Sequence, residues 1–180
     1  MTADAVQRLL DAHVPADARE AGFVAEMRAL LAHDEPFARA TFAPGHFTAS
    51  AFVTSPDGGS VLLVLHGKLH RWLQPGGHIE PDDPDPVAAA RREVAEEVGV
   101  TELDLPDGAV LHDVDIHDIP PIKSDPPHRH YDLRFHLRAR SLRFAAGSDA
   151  RAARWVPLPE VDPEESDASV ARAVRKLMGR

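Results

Sequence analysis

An α+β fold built on a mixed β-sheet is the class this sequence predicts. Three observations lead there. Apolar residues recur at helical spacing at both ends of the chain. Short β-forming runs bounded by Pro and Gly fill the middle, and they do not alternate regularly with helices as βαβ units would. A chain of 180 residues, 43% hydrophobic and 27% charged, has ordinary globular composition and is long enough to bury a core.

The elements follow in order. Residues 3–33 are expected to be helical: Val6, Leu9, Leu10 and Val14 recur at one spacing, Pro15 interrupts, and Phe23, Met27, Leu30 and Leu31 resume it. This arm, residues 1–35, is expected to pack as a helical extension on a main domain of residues 36–180. Phe47–Thr54 carries β-formers, Ser55-Pro56-Asp57-Gly58-Gly59 is a turn cluster, and Val61–Leu65 is a buried strand, so the three read as a hairpin. A short segment, Leu69–Leu73, precedes Pro75-Gly76-Gly77, which is expected to break the chain. Residues 86–98 read as a helix closed by Gly99. Strands are expected at 109–116, 130–138 and 153–157, with an exposed loop of four prolines from Ile119 to Pro127 and a last helix near 166–178.

Charge and composition narrow the function. Twenty Lys plus Arg face 29 Asp plus Glu, a formal net charge of -9, which argues against binding nucleic acid through its backbone. An anionic substrate would need a cation as a bridge. With no cysteine, thiolate zinc sites and cysteine nucleophiles are excluded. No apolar run approaches the ~20 residues of a membrane span. The N-terminus has no signal-like pattern, so a cytoplasmic location is the default expectation.

The segment from Gly76 to Val100 carries the chemistry. On a helical wheel, Val87, Ala90, Val94 and Val98 form one narrow stripe that should face the core. Glu93, Glu96 and Glu97 fall on an adjoining arc of about 100°, together with the small Ala89, which is expected to leave space beside them. Glu93 and Glu97 are a like-charge pair one turn apart, near a helix C-terminus that disfavours negative charge. A hard divalent cation such as Mg²⁺ or Mn²⁺ would relieve that conflict. Taken alone, the three glutamates also fit a solvated acidic face. The glycine pair before the helix permits close backbone approach and shifts the balance toward a metal site.

The segment resembles the Nudix box, G-x5-E-x7-R-E-U-x-E-E-x-G-U with U a bulky aliphatic residue. Arg92, Glu93, Val94, Glu96, Glu97, Gly99 and Val100 match the second half, and Gly77 matches the opening glycine. Two departures stand in the first half: Asp83 replaces a glutamate, and the spacer to Arg92 is eight residues instead of seven. The likeness extends over roughly residues 45–175, including Arg154-Trp155-Val156-Pro157-Leu158.

This resemblance implies an α/β/α sandwich and divalent-metal-dependent hydrolysis of a nucleoside diphosphate linked to another moiety, with Mg²⁺ or Mn²⁺ as cofactor. It implies Glu96 and Glu97 as metal ligands, Glu93 as a ligand or metal-linked base, and the Gly76 carbonyl as part of the metal shell. Arg92 would orient a glutamate, and Asp83 and Glu80 would support from behind. The implied partner is a small phosphorylated molecule, a nucleotide first, and a homodimer is an assembly common in the family. A nucleotide-binding module without turnover, or a hydrolase of a non-nucleotide diphosphate, is the rival reading.

Outside the box, Arg71 and Trp72 are candidates for phosphate contact and base stacking, and Trp72 also suits core packing. His78 adjoins the expected metal shell. His128, His130 and Asp132 begin a strand, and the last two share a face, so phosphate contact, metal contact or a polar strand end all fit. Gly45-His46-Phe47-Thr48, before the first strand, is placed to line the pocket, to pack or to form a turn. Substrate selectivity is expected in residues 66–74 and 117–130.

Overall fold

The computed structural model describes residues 1–67, 69–121, 124–145 and 150–179, without the side chains of residues 150 and 151. Its centre is β1, His46–Thr54, buried along its whole length. Strand β7, His128–Ala139, runs parallel to it, pairing His46 with His130 through to Thr54 with Arg138. The other pairings are antiparallel. On the opposite edge of β1 lie β4, Gly76–His78, and then the start of β2, Ser60–His66. Strand β2 also pairs with β3, Trp72–Leu73, and with β8, Ala150–Pro157. Strand β7 further pairs with β5, Leu103–Asp104, and with β6, Asp113–Ile119.

Alternation along β1 divides the interior into two cores. Phe47, Ala49, Ala51 and Val53 join Tyr131, Leu133, Phe135 and Leu137 beneath three helices: α1, Ala3–Ala12; α2, Ala18–Leu30; and α3, Pro86–Val98. On the other side Phe52 meets Val61, Leu63 and Val156 beneath α4, Ala168–Leu177. The result is helices on both faces of a curled mixed sheet, the α+β sandwich expected.

Local chemistry fixes the helix ends. Asp17, Asp85 and Asp167 each cap a helix by accepting backbone N–H bonds, and Pro86 opens α3 where no intrahelical donor is needed. Gly99 closes α3 in the left-handed region at φ 66°, its N–H bonded to the Ala95 carbonyl.

Several boundaries differ from the sequence reading. Helix α1 ends at Ala12, so Val14 is 84% exposed instead of joining the core stripe, and Val24 packs inside where periodicity from Phe23 had not placed it. Pro75-Gly76-Gly77 does not break the chain: Gly76 and Gly77 lie in β4 against Ser50 and Ala49. A two-glycine strand is invisible to β-propensity, and pairing with β1 alone creates it. The strand expected at 109–116 begins at Asp113 and runs on to Ile119, because its neighbour β7 starts early, at His128. Ala89 is fully buried in the core, so it leaves no open space beside the glutamates. In the proline-rich loop, residues 122 and 123 lie outside the described residues.

Candidate active site

Helix α3 and strand β4 make the site together. Ala89, Ala90, Val94 and Val98 anchor the helix in the core, which turns Glu93 and Glu97 toward β4. Glu97 accepts the Gly76 N–H at 3.2 Å. Glu93 sits against Gly77 so closely that a Cβ on that residue would stand 2.7 Å from its carboxylate. Gly76 is confined likewise, since a Cβ there would stand 2.2 Å from the Cβ of Ser50. The glycine pair is therefore required by contact distance: the helix carboxylates and the β1 side chains occupy the space that side chains would fill.

Arg92 ties the loop, strand and helix into one unit. Its Nε and Nη2 donate to the two oxygens of Asp83 at 3.2 and 3.0 Å. Nη2 also donates to the His78 carbonyl at 2.8 Å, and Nη1 donates to Glu93 at 2.9 Å and Glu96 at 3.3 Å. Asp83 accepts the Glu80 N–H as well, so the longer spacer and shorter side chain still deliver a buried carboxylate to Arg92. Glu80 itself is mostly exposed, 3.9 Å from Arg92.

Burial pushes the Glu93 carboxyl above the usual carboxylate range; Arg92 pulls it back, and the charges of Glu96 and Glu80 push it further. A partly buried carboxylate whose neighbours include two more acids, all oxygen donors, fits a hard divalent cation. Glu93, Glu96 and Glu97 are the residues that would hold it.

Beside β4, one face of the sheet is polar. Asp132 accepts from Thr48 at 3.1 Å, Ser50 at 2.7 Å, Gln74 at 3.3 Å and Arg134 at 2.8 Å. Its carboxylate is thus taken up by protein donors and joins β1 to β7. Arg134 continues into a buried network in which Arg172 also reaches Asp113 and Asp115.

Toward the strand ends this face becomes a histidine cluster. His46 and His130 are register partners, with ring centroids 4.8 Å apart, and His78 lies 5.2 and 5.1 Å from them. His128 lies 5.2 Å from His46 and His130, and His117 lies 5.6 Å from His130. Burial lowers the pKa of His46, of His78 to about 4 and of His130 to about 2, with neighbouring rings adding to the effect and Arg39 acting on the first two.

Arg71 and Trp72 stand apart from this cluster in their bonding. Arg71 donates to the Ser166 carbonyl at 2.9 Å; Trp72 packs against the α4 core with the Arg154 guanidinium 4.1 Å above its ring. Neither contact engages the glutamates. An open groove of about 570 Å³ adjoins His128, bounded by Phe42, Pro44, Ile119, Pro120, Pro127 and Arg129.

Sequence reasoning noted His46 only as a pocket-lining residue and did not mark His117. Nothing local distinguishes either one, because their proximity to His130 arises from strand register. Their alternation with Thr48 and Asp115 was the available signal.

A helix carrying this glutamate pattern, docked on a glycine strand of a mixed sheet between helical layers, gives the chain an α/β/α architecture. The NUDIX domain matches residues 44–177, and the chain belongs to the Nudix family. A Nudix-family hydrolase from Clostridium perfringens is similar at 26% identity and a TM-score of 0.55, covering 74% of this chain and 96% of its own. The dihydroneopterin triphosphate pyrophosphohydrolase of E. coli shares the fold at 17% identity and a TM-score of 0.57, covering 74% and 96%. So does the C. elegans Ap4A hydrolase, at 19% and 0.55, covering 74% and 95%. Comparison with curated protein sequences returns no match. Among the described residues, no helix is long and apolar enough to cross a membrane.

Proposed function

We propose that this chain is a divalent-metal-dependent hydrolase that cleaves a phosphoanhydride bond in a nucleoside diphosphate linked to another moiety. The observation that carries it is the seating of Glu93 and Glu97 against Gly76 and Gly77, with Arg92 bonded to Glu93, Glu96 and Asp83. Family membership and the named hydrolases of like fold support the same reading.

Mg²⁺ or Mn²⁺, when bound, would neutralise the diphosphate, polarise a phosphorus–oxygen bond and acidify the attacking water. Glu96 and Glu97, with Glu93 next to them, would hold the ion, and the Gly76 carbonyl would be the backbone donor to it. Glu93, bonded to Arg92 and set against Gly77, is the further ligand of that ion or the carboxylate beside it that accepts the proton of the attacking water. Arg92 fixes the Glu93 and Glu96 rotamers and touches no substrate. Asp83 in turn orients Arg92. Asp132, saturated by four side chains, positions β1 against β7 and does not enter the chemistry. The group attached to the diphosphate occupies the groove beside His128. Residues 1–35 form a helical extension of the catalytic domain.

Phosphate-product release from nucleoside diphosphate derivatives and triphosphates, with Mg²⁺, Mn²⁺ or EDTA, tests this. Turnover should need the metal and fall at least ~100-fold in Glu97→Gln, which removes a ligand charge without removing a core contact. Undiminished turnover in that variant overturns the site. Thermal stabilisation by these compounds without any turnover overturns the reaction.

A further inference from the structure

Three imidazoles converge beside the glutamates, and the box chemistry leaves them unused. His46, His78 and His130 come from β1, β4 and β7, so three hydrogen-bonded strands hold them. One ring nitrogen of each lies within 4.8 Å of those of the other two. His46 is fully buried, yet its Nε2 has no hydrogen-bond partner, and neither does the buried Nε2 of His130. Buried polar atoms in native proteins are nearly always paired. Two orphans on paired strands, both on rings of the same small cluster, point to a ligand.

The tautomer of His46 says which kind. Its Nδ1 lies 3.1 Å from the Thr41 carbonyl, which can only accept, so Nδ1 carries the proton and Nε2 presents a lone pair. A lone pair repels a phosphate oxygen and attracts a cation. A carbonyl that fixes the ring through its other nitrogen is the usual support of a metal-ligating histidine. His128 is held the same way, its Nδ1 at 2.8 Å from the Pro126 carbonyl.

We propose that His46, His78 and His130 form a second metal site, for a borderline divalent transition ion of which Zn²⁺ is the type, separate from the carboxylate site of α3. Nitrogen donors select such ions, whereas the glutamates select Mg²⁺ or Mn²⁺. A tetrahedral ion about 2.0–2.1 Å from each nitrogen needs them ~3.3 Å apart, so modest ring rotations close the set. Three protein ligands leave a fourth position open, the pattern of zinc sites that bind water or substrate. His128 and His117 flank it. His78 links the two sites, since its own carbonyl accepts from Arg92 while its ring faces the histidines.

The test is Co²⁺ and Zn²⁺ binding to the metal-stripped full chain. Wild type and Glu97→Gln should both bind about one equivalent of Co²⁺ with the visible bands of a low-coordinate nitrogen site, displaced by Zn²⁺. His130→Gln and His78→Gln should weaken Zn²⁺ at least ~100-fold. Ring-¹⁵N-histidine spectra of the unmutated chain give a readout that does not depend on a variant folding. One equivalent of Zn²⁺ should shift the resonances of His46, His78 and His130 together. Unmoved rings, unchanged affinity in both histidine variants, or loss of the Co²⁺ bands in Glu97→Gln would each overturn the proposal. The first two outcomes leave the proposed hydrolase untouched.

Discussion

Replacing Arg92 by alanine removes one side chain from five hydrogen bonds. Two of the acceptor side chains, Asp83 and Glu93, are only 8% and 14% exposed. Removing one partner of a fully buried ion pair costs about 3–5 kcal/mol. Arg92 is 22% exposed, and Asp83 keeps the Glu80 N–H, so the cost here should be smaller, about 2–3 kcal/mol. For a domain of this size that lowers Tm by roughly 5–10 °C. Turnover should fall ~10–100-fold through kcat, because Glu93 and Glu96 lose the donor that fixes their rotamers. Arg92→Lys, which keeps the charge and loses the fork, should fall between the two. Thermal unfolding followed by circular dichroism, with kcat and KM on the same preparations, measures all of it. An unchanged Tm would show that the bonds to Asp83 contribute nothing. An unchanged kcat with a raised KM would mean that Arg92 grips substrate directly.

Gly77→Ala should cut turnover more than ~10-fold and destabilise the fold by about 1–3 kcal/mol, because the new Cβ would stand 2.7 Å from a Glu93 carboxylate that Arg92 holds in place; paired urea melts and rate assays measure the two effects. Acid should unfold the protein partly through Asp115 and Glu20. Burial alone would raise both carboxyls, but Arg134, His117 and Arg172 hold Asp115 down to about 2, and His13, the Ala16 N–H and Lys176 hold Glu20 well below its usual range. Folded values below unfolded ones give stability that is complete above pH ~4.5 and lost as pH falls. Asp115 alone accounts for about 2–3 kcal/mol between its ordinary 3.8 and about 2. Asp115→Asn should flatten that part of the pH–stability curve, as urea midpoints at several pH values would reveal.

What was legible in the sequence was what local periodicity encodes. The helix over 86–98 and its Gly99 end follow from neighbours in the chain, and so does the glutamate arc. The hairpin joining β1 to β2 was equally plain, since Ser55–Gly59 can do little but turn. Strand β4 was not, because Gly76 and Gly77 carry no β signal and pair only where β1 presents Ser50 and Ala49. Nor was the histidine cluster: His46 and His130 meet only through a parallel register that no spacing announces. Val14 was misplaced because periodicity does not sense where a helix stops.

Strand β1 has a consequence of its own. Its alternate residues belong to the two cores, and its polar face holds His46, Thr48 and Ser50. Both sides of the strand are bonded, by β7 along one and by β4 and β2 along the other. Such a strand has no cheap local opening, so its amide protons should exchange with solvent only when the whole molecule unfolds. The proposed site therefore inherits the rigidity of the interior. Residues of the open groove around Phe42 and Pro120 can change in sequence, while the platform beneath stays as slow to open as the protein is stable.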